Sequence, residues 1–467
     1  MKKTLFENKI IILGFGCIGQ ALLPLLIGKL YIPSSQITII TNEDSAILIA
    51  KKFSINVIVH AINKTNYKNL IGSLLNFEDL VIDVSIGISS SALIQLCNQH
   101  DALYINASIE EWGESIFELN NPKTWTNYWL REKILDLRET IKKTTILTHG
   151  ANPGLVSHFV KQALLNMAKD NSLHISPPQN KLEWASLAKT LNIKSIHIAE
   201  HDSQVASSFK KWGEFVNTWS IKGFIEEIKQ PVEIGWGTHE QHLPHGAKYQ
   251  GAKSSIYIEC PSGSMKVRSW TPSFGAYQGH LITHPENTSI ANYLTLEQDK
   301  KVIYRPTVLY SYCPCPDALL SLQELQGNEW IPQKNHRLIV DEIEEGIDEL
   351  GVLLMGNSKG AYWYGSTLSI EESRKLVAHN NATSLQVVAG LISGIIWAIQ
   401  NPNQGLLEPD ELPYDQILKN ALPYLGKVQG YYTQWNPLKI RNKLYYEELD
   451  NSDPWQFINM QVKSSPK

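Results

Sequence analysis

A glycine-rich turn near the N-terminus is the feature that most restricts how this chain can fold. Residues 8–28 read NKIIILGFGCIGQALLPLLIG. The apolar run Ile10–Leu13 is typical of a buried strand. Gly14, Gly16 and Gly19 follow it in a G-x-G-x-x-G pattern, and an apolar segment of helical character comes next. A strand, this turn and a helix in that order predict a dinucleotide-binding unit.

Each glycine has its own expected role. Gly14 permits a tight turn, Gly16 lets the backbone approach a pyrophosphate, and Gly19 allows close packing of the helix. The free N–H groups at the start of the helix would point at the phosphates. We therefore expect Cys17 and Ile18 to bind the cofactor together with the three glycines. The alternative is a glycine-rich turn that binds no ligand.

Strand patterns alternate with helical segments through the first 150 residues or so. This alternation predicts an α/β fold with a Rossmann-type, doubly wound parallel sheet, whose ligands lie beyond the carboxyl ends of the strands. The further expected strands are Gln36–Thr41, Asn56–His60, Leu80–Val84, Leu103–Asn106 and Thr145–Leu147. Residues at or just after the strand ends are therefore expected to contact the cofactor, and they are Thr41, Asp83, Ser85, Asn106, Ala107 and Ser108.

The end of the second strand bears on the choice between NAD and NADP. An acid there would bind the ribose 2′-OH of NAD. This strand ends in Thr41-Asn42-Glu43-Asp44, so the acid comes late, and no Arg or Lys follows before Lys51. Because no cation is ready for a 2′-phosphate, the sequence favours NAD.

The motif HGANPG, His149–Gly154, leads from the last of these strands into an apolar helix expected at Leu155–Met167. An asparagine on such a turn beside a nicotinamide can hydrogen-bond an amide or an amine. It can equally cap the helix. We expect Asn152 to contact cofactor and substrate, with capping as the alternative.

Short strand patterns among many Trp, Tyr, His and Glu residues dominate the chain from Lys194 to about Met355. They predict a second α/β (α+β) domain with a mixed or antiparallel sheet. Its expected strands include Ser195–Glu200, Trp219–Phe224, Lys253–Glu259 and Ile303–Tyr310. The expected domains are 1–155 for nucleotide binding, completed by a returning helix at about 376–400, 156–375 for the substrate, and 401–467 as a C-terminal extension packing on the core.

Composition excludes several other classes of protein. A formal net charge of −4 argues against a nucleic-acid-binding protein that works through positive charge. The five cysteines are scattered and odd in number, which fits a reducing, cytoplasmic location, and Met-Lys-Lys followed directly by a strand predicts no signal peptide. The apolar run Leu385–Ile399 is too short for a membrane span, so we expect a buried helix.

A metal site is not expected either. His239, His242 and His245 lack the H-E-x-x-H pattern, and the CPCP run at 313–316 has no matching second pair of cysteines.

Carboxylates and aromatic residues recur together in the second domain. A cleft lined by acids and an indole face suits a diammonium ligand, because carboxylates bind ammonium by charge-assisted hydrogen bonds and the indole adds cation–π attraction. The alternative is that each acid is solvated and each tryptophan belongs to the core. The motifs are AEHDSQ with Glu200, NTWSIKGFIEE with Trp219 and Glu227, GHLITHPENTSI with His284 and Glu286, and EEGIDELGVLLMG with Asp348.

Eight stretches, spread over nearly the whole chain, carry a resemblance to a known family. They are ILGFGCIGQALLPLL, VIDVSIG, HGANPGLVSHFVKQAL, IHIAEHDSQ, VNTWSIKGF, GWGTHE, HLITHPENTSI and DELGVLLMG. Together they resemble the bacterial homospermidine synthases of the saccharopine-dehydrogenase-like group. The resemblance implies a homodimer that holds NAD as a regenerated group. It implies that putrescine, or spermidine as aminobutyl donor, is oxidised to an imine, exchanges amines with loss of ammonia or diaminopropane, and is reduced again by the same NADH.

The resemblance also implies roles for individual residues. Those that would act in catalysis are Asn152, Glu200, Trp219, Glu227, His284 and Glu286. Independently of the resemblance, His284 is the candidate proton shuttle, because imidazole titrates near neutral pH. Those that would contact the polyamine are Asp348, Asp83 and Glu110, with Glu111 as the alternative to Glu110. Lys161, in HFVKQAL, is expected to be a solvated side chain.

Two other functions stay open at this point. A carboxynorspermidine or saccharopine-type reductase would need arginines, such as Arg268, Arg305 or Arg337, for substrate carboxylates, and would consume NADPH. A non-catalytic NAD-binding regulator would have its Glu, Trp and His motifs dispersed in the fold.

Overall fold

The computed structural model describes residues 3–44, 46–113, 121–378, 380–443 and 446–462. The chain divides into two compact units. The N-terminal unit consists of Met1–Trp125, Trp129–Leu155 and Glu371–Leu425, and the C-terminal unit consists of Thr126–Tyr128, Val156–Ile370 and Gly426–Lys467. The segment expected to form one C-terminal extension is therefore shared between the two units, because the division falls at Leu425–Gly426.

A parallel sheet of seven strands forms the centre of the N-terminal unit. From one edge to the other the strands are Asn56–Val59, Ile37–Thr41, Ile10–Leu13, Leu80–Asp83, Leu103–Asn106, Thr145–Ile146 and Leu406–Leu407. The chain order runs outward in both directions from Ile10–Leu13, which makes a topological switch point between that strand and Leu80–Asp83. The predicted doubly wound α/β sheet is confirmed.

The sequence of the central strands explains their position. All four residues of Ile10–Leu13 are apolar and buried, as a parallel strand covered on both faces requires. The helices of this unit are Cys17–Lys29, Ala46–Lys52, Tyr67–Gly72, Ser90–Gln99, Asn127–Leu135, Ile370–Leu376, Ala382–Gln400 and Tyr414–Ala421, of which Asn127, Tyr128 and Ile370 belong to the other unit. A short parallel pair joins Thr4–Leu5 to Leu30–Tyr31.

The helix Ala382–Gln400 is the most apolar of the N-terminal unit. Length and composition alone would let it cross a membrane, but 89% of its apolar window is buried inside the protein. Asn381 and Ser384 form a capping box at its start. Gly390 allows the helix to touch the HGANPG turn, because a Cβ there would lie 1.9 Å from the carbonyl oxygen of Gly150.

A mixed sheet of ten strands forms the centre of the C-terminal unit. Eight follow one another in the order Ala247–Gln250, Ser255–Pro261, Pro231–Gly235, Thr307–Cys313, Ser195–Asp202, Ile347–Met355, Ala361–Ser369 and Lys427–Thr433. The hairpin of Lys266–Thr271 and Gly275–Ile282 joins at Thr307–Cys313. Only the two central strands, Thr307–Cys313 and Ser195–Asp202, pair in parallel within the described part of this sheet.

Shorter elements complete the C-terminal unit. Its helices are Leu155–Asp170, which begins in the N-terminal unit, Lys181–Thr190, Ile221–Lys229, Glu286–Tyr293, Pro316–Gly327 and Phe457–Met460. Its two-stranded pairs are Val205–Ala206 with Ile343–Glu345, Glu214–Asn217 with Asn335–Leu338, and Leu296–Gln298 with Lys301–Tyr304. Across both units, single 3₁₀ turns lie at Ser34–Gln36, Pro122–Trp125, Arg138–Thr140, Gly251–Lys253, Ser262–Ser264, Pro409–Glu411 and Leu422–Tyr424.

The strand predicted at Trp219–Phe224 is wrong, because a helix begins there. The Ser220 side chain accepts a hydrogen bond of 3.2 Å from the backbone of Gly223 and so caps the helix Ile221–Lys229. Its buried residues recur at helical spacing, and they are Ile221, Phe224, Ile225 and Ile228.

Two other predicted elements are divided in the structure. The strand predicted at Ile303–Tyr310 is two strands, Lys301–Tyr304 and Thr307–Cys313, with Arg305-Pro306 between them. Proline has no N–H to donate to a strand ladder. The long helical segment around 376–400 is Ile370–Leu376 followed by Ala382–Gln400, since Asn381 caps a new helix.

Candidate active site

The glycine turn has the shape that its sequence predicts. Gly14 has a φ of +82°, and a Cβ there would lie 2.7 Å from the carbonyl oxygen of Val84. Its N–H donates to the carbonyl of Ile40 at 2.9 Å. The turn is thus held between three strand ends at the switch point of the sheet, where open α/β sheets bind their ligands.

The next two glycines have opposite surroundings: Gly16 borders open space, and Gly19 packs closely against the turn. Among the residues that the structure describes, none beyond the neighbours of Gly16 along the chain places an atom within 4 Å of the position that its Cβ would occupy. Within the described part of the chain, the N-cap residue Gly16 makes no side-chain hydrogen bond to the helix that starts at Cys17, which leaves the helix start open to a phosphate. A Cβ on Gly19 would lie 2.9 Å from the Gly14 carbonyl oxygen, so only glycine lets the first helical turn pack there. These residues fit a dinucleotide.

Asp83 ends the strand beside the glycine turn. Its carboxylate accepts hydrogen bonds from the Ser85 hydroxyl at 2.5 Å and the Tyr104 hydroxyl at 2.7 Å. Burial raises the pKa of Asp83, although these hydrogen bonds oppose the rise. Asp83 and Ser85 therefore fix one another at the switch point, and their contact with a cofactor stays a prediction.

Asn106 ties neighbouring strand ends together. Its amide nitrogen donates to the carbonyl of Ser108 at 2.6 Å, and its amide oxygen accepts from the backbone of Thr148 at 2.7 Å. The side chain is 1% exposed, which gives it a structural role next to half-buried Ala107 and Ser108. Cofactor contacts of these three residues stay predictions.

The end of the second strand is acidic and open. The Thr41 hydroxyl accepts a hydrogen bond from the backbone of Glu43 at 3.2 Å. Asn42, Glu43 and Asp44 are exposed. The carboxylates of Glu43 and Asp44 are therefore accessible, and their contact with a ribose hydroxyl of NAD stays a prediction.

Asn152 lies half-buried on a closed turn. The backbone of Gly150 donates to the carbonyl of Pro153 at 2.7 Å, and Gly154, with a φ of +127°, is so close to Gly150 that no Cβ would fit. The ring of His149 bonds to the carbonyl of Gly390 at 3.0 Å, and burial lowers its pKa to about 4, so this ring is neutral.

The two neighbouring acids after Ser108 have different partners. Glu110 accepts from the Ser108 hydroxyl at 2.9 Å and from the backbone of Gly87 at 3.1 Å. Glu111 forms an ion pair with Lys133. Glu110 follows the strand end, and its contact with the substrate stays a prediction, with Glu111 as the alternative.

A histidine between two carboxylates is the core of the C-terminal site. His284 Nδ1 lies 3.0 Å from Glu286 Oε1, and His284 Nε2 lies 3.2 Å from Glu227 Oε2. Burial alone would lower the pKa of His284, but the carboxylates of Glu286 and Glu227 raise it well above its usual range. The charged, imidazolium form of the ring is therefore favoured over the neutral form.

These side chains also leave buried polar atoms without hydrogen bonds. Among the described residues, Glu286 Oε2 has no hydrogen-bond partner, whereas Glu227 Oε2 and His284 Nε2 face each other in the 3.2 Å ion pair. Buried carboxylate oxygens without donors are costly, and a bound ammonium group would supply the donors.

Glu233, which the sequence analysis missed, holds the turn that carries His284. Its carboxylate accepts from the Thr283 hydroxyl at 2.9 Å, and its backbone carbonyl accepts from the Asn287 side chain at 3.2 Å. Burial raises the pKa of Glu233 to about 7. No sequence pattern marks this residue, because its partners come from a distant segment.

Tyr310 brings Glu200 to the same place. The Tyr310 hydroxyl donates to Glu200 Oε2 at 2.6 Å. Its ring lies 4.8 Å from the ring of His284. Glu200, His284, Glu227 and Glu286 thus belong to one continuous set of contacts. The motifs that contain these residues are therefore brought together in the fold and are not dispersed.

Trp219 joins the set through a second tyrosine. Its indole N–H donates to the Tyr312 hydroxyl at 3.3 Å, and the indole itself is half-buried. Tyr310 and Tyr312 are alternate residues of one strand, so both point to the same face of the sheet. The alternation in VLYSYC is the only signal that could have marked them.

Asp348 extends the acidic face. It lies opposite Asp202 across two paired strands, and Glu200 is two residues before Asp202, so all three carboxylates share one face of the sheet. Asp348 is fully buried. Burial together with these three acids raises the pKa of Tyr312 well above its usual range.

The prediction that Lys161 is solvated is wrong. The residue is 4% exposed, and its ammonium group lies 4.9 Å from the ring centre of Tyr293 and 5.6 Å from that of Trp184. Cation–π contact with two rings offsets part of the cost of burying the charge.

No group of three or more His, Cys, Asp or Glu side chains could hold a metal ion within the part of the chain that the structure describes. His239 bonds to the carbonyl of Trp455 at 3.1 Å, and His242 lies 3.0 Å from Asp450.

Comparisons with known proteins identify the family. Two family models match, the saccharopine dehydrogenase NADP binding domain at residues 10–147 and the saccharopine dehydrogenase C-terminal domain at residues 150–432. The homospermidine synthase of Mesorhizobium japonicum is 42% identical over 97% of this chain and 96% of its own length. The one from Blastochloris viridis is 42% identical over 98% of each chain. This chain belongs to the homospermidine synthase family.

Solved structures agree with this assignment. A crystal structure of homospermidine synthase from Legionella pneumophila in complex with NAD has 57% sequence identity, covers 99% of this chain and 100% of its own, and superposes with a TM-score of 0.94. The fold is shared with saccharopine dehydrogenase from Saccharomyces cerevisiae. That structure has 10% sequence identity, covers 91% of this chain and 100% of its own, and superposes with a TM-score of 0.52. The predicted membership of the homospermidine synthases is confirmed.

Proposed function

We propose that this protein makes homospermidine from two molecules of putrescine, and that spermidine can replace one of them as the aminobutyl donor. The single observation that carries this proposal is the contact of buried His284 with buried Glu286 and half-buried Glu227, in a chain that belongs to the homospermidine synthase family. Ammonia, or diaminopropane from spermidine, leaves when the amines exchange.

NAD is the cofactor that the N-terminal unit would hold. Gly14, Gly16 and Gly19 give the pyrophosphate room and a helix start, and the acids after Thr41 suit the adenosine ribose. When bound, NAD supplies an acceptor for hydride from the amine-bearing carbon and returns that hydride to the final imine. Net redox change is zero, which is why the cofactor can stay bound.

Charge in the C-terminal unit suits the substrate and its intermediate. Glu227 and Glu286 carry two negative charges, and His284 carries one positive charge, so this group alone is left with a net charge of −1. An ammonium group binds to it by charge-assisted hydrogen bonds. Before oxidation the ammonium group loses one proton to solvent, and the neutral amine then loses the hydride. The resulting carbon–nitrogen double bond carries one positive charge, and the same carboxylates stabilise it electrostatically. The Trp219 face adds cation–π attraction without accepting the proton.

His284 would move the protons of the exchange. Because its pKa is raised by Glu286 and Glu227, the ring begins as a proton donor for the leaving amine, and the neutral ring then accepts a proton from the entering amine. Asp348 would bind the far ammonium group along the acidic face. Asp83, Glu110 and Asn152 stay proposed contacts from the N-terminal unit.

The assay is direct. Purified protein with putrescine and NAD should form homospermidine and ammonia in equal amounts, with no accumulation of NADH. Consumption of NADPH would instead indicate the reductase. The arginines that a reductase needs have other partners, since Arg305 bonds to the Thr295 hydroxyl, Arg337 to Glu214 and Arg268 to the carbonyl of Gln461. NAD binding without ammonia release would indicate the regulator.

We further propose a cytoplasmic homodimer, which the resemblance and the scattered cysteines support. Sedimentation of the purified protein would measure its oligomeric state.

A further inference from the structure

Two tyrosines stand on the acidic face of the C-terminal sheet without a role in the reaction so far. Tyr310 and Tyr312 are 3% and 1% exposed. Their ring centres are 5.5 Å apart, and the rings are inclined by 23°. Tyr312 is paired in register with Glu200 on the neighbouring strand. The pair therefore forms a rigid surface against which the acidic side chains lie.

Each hydroxyl group contacts a different residue of the site. That of Tyr310 donates to Glu200 Oε2 at 2.6 Å, a short bond of the charge-assisted kind. That of Tyr312 accepts the indole N–H of Trp219 at 3.3 Å. Phe224 packs near both the Trp219 and the Tyr312 ring, at 5.5 and 5.8 Å.

We infer that Tyr310 and Tyr312 are positioning residues for the polyamine reaction, Tyr310 acting through Glu200 and Tyr312 acting through Trp219. This inference rests on the proposed function and adds to it two residues that no family motif in the sequence analysis contained. The first tyrosine orients a carboxylate, and the second sets the plane of the indole that faces the substrate cation.

The choice of tyrosine has a physical reason. A site that must attract a dication needs its carboxylates held in place, yet a lysine or arginine donor would neutralise them and repel the substrate. A phenol donates a hydrogen bond while staying neutral. Burial and the charge of Glu200 keep the pKa of both hydroxyl groups well above the usual range, so neither loses its proton near neutral pH.

The groups that face Glu200 determine how the pKa of its carboxylate should change when the Tyr310 hydroxyl is removed. The paired strands contribute Tyr310 and Tyr312 on one side and, on the same face, Asp202 and Asp348. The ring of His284, with Glu227 and Glu286 on either side, lies against Tyr310. Loss of the Tyr310 donor leaves Glu200 among like charges, so its carboxylate becomes easier to protonate.

Double-mutant cycles test the two assignments. Tyr310→Phe should lower kcat/KM for putrescine by about tenfold to hundredfold, because a hydrogen bond to a charged group is lost. It should move the acid limb of the pH profile to higher pH. In a Glu200→Gln background the same substitution should have little further effect, whereas in a Trp219→Phe background its full effect should persist. Tyr312→Phe should show the opposite pattern.

Tyr304→Phe is the matched control. Tyr304 is also buried, and its hydroxyl donates to the carbonyl of Ile193 at 2.8 Å, outside the acidic face. This variant should keep wild-type kinetics and pH profile. If it changes them as Tyr310→Phe does, or if the effects of Tyr310→Phe and Glu200→Gln multiply independently, the inference is overturned.

Two NMR measurements need no activity, and they separate this inference from the proposed function. With fluorotryptophan, the Trp219 signal is assigned among the 13 tryptophans by Trp219→Phe. Tyr312→Phe should shift that signal, and Tyr304→Phe should not. With carboxyl-labelled glutamate, Tyr310→Phe should raise the pKa of the Glu200 signal. Unchanged signals would overturn the inference even in an active enzyme, whereas an inactive wild type with both shifts would overturn the proposed function alone.

Discussion

The glycine turn of the N-terminal unit and the acidic face of the C-terminal unit are built for recognition by opposite means. At Gly14 and Gly16 the decisive property is the absence of a side chain, which leaves backbone N–H groups and open space. At Glu227, His284 and Glu286 the decisive property is side-chain charge. Burial makes an isolated charge costly, and the opposite charges of the neighbouring side chains offset that cost. The first region should therefore be sensitive to added volume, and the second to lost charge.

The largest effect is expected from Glu227→Gln, which keeps the volume and removes the charge. Turnover should fall by about a thousandfold, within the range that positioned acid–base and electrostatic groups contribute, while NAD affinity stays unchanged. Product formation by chromatography and NAD binding by calorimetry measure the two quantities. Glu226→Gln is the matched control, because Glu226 is the adjacent acid on the same helix and lies 3.9 Å from Lys222. Equal losses in the two variants would remove Glu227 from the mechanism.

The converse variant, Gly14→Ala, adds volume and no charge. A side chain at a φ of +82° is strained, and its Cβ would lie 2.7 Å from the Val84 carbonyl oxygen. NAD should bind at least about tenfold more weakly, because the turn relieves this strain of roughly 1–2 kcal/mol by leaving the shape that fits the pyrophosphate. Gly28→Ala is the control, since a Cβ there would meet no atom of the described residues within 4 Å beyond its chain neighbours and its own helix. Unchanged NAD affinity in Gly14→Ala, measured by calorimetry, would contradict the role of the turn.

Glu286→Gln should change the pH dependence of the acidic region. The pKa of His284 in the folded protein is raised by Glu286 and Glu227 above its unfolded value, so the ion pair stabilises the fold fully below that unfolded value and less as pH rises through the folded pKa. The substitution should move the alkaline limb of kcat/KM to lower pH and weaken the rise in stability on acidification. Urea unfolding and initial rates over a pH series measure both, and an alkaline limb that stays in place would exclude His284 as the titrating group.

The smallest effect is expected from Ser220→Ala, which removes the cap of the helix that carries Glu227. Loss of an N-cap costs about 1 kcal/mol. The denaturation midpoint should fall slightly, with a modest loss of turnover and no change in NAD affinity. Ser186→Ala, at an exposed position within the helix Lys181–Thr190, is the control and should leave the midpoint nearly unchanged.

The same contrast explains what the sequence could predict. The glycine turn and the parallel strands are contiguous patterns, so their roles and most of their bounds follow from local spacing. The segment Trp219–Phe224 has the composition of a strand, but the cap at Ser220 starts a helix there, and the apolar residues of Ile221–Lys229 have helical spacing.

The residues of the acidic face come from segments that are far apart in the sequence. Its acids could be named by resemblance, but Tyr310, Tyr312 and Glu233 act through partners on other strands. Single residues in a sequence do not show such partners. Lys161 was missed for the same reason, since the two rings that surround its ammonium group come from two other helices.

The most direct test of the central claim follows the hydrogen that NAD takes up. Putrescine deuterated at both amine-bearing carbons is incubated with the protein and unlabelled NAD, and the homospermidine is analysed by mass spectrometry. If the same cofactor returns what it removed while the carboxylates hold the cationic intermediate, the product keeps all its deuterium, ammonia forms in equal amount and no NADH accumulates. Loss of deuterium to solvent, or NADH that accumulates with the amount of product, would contradict the account.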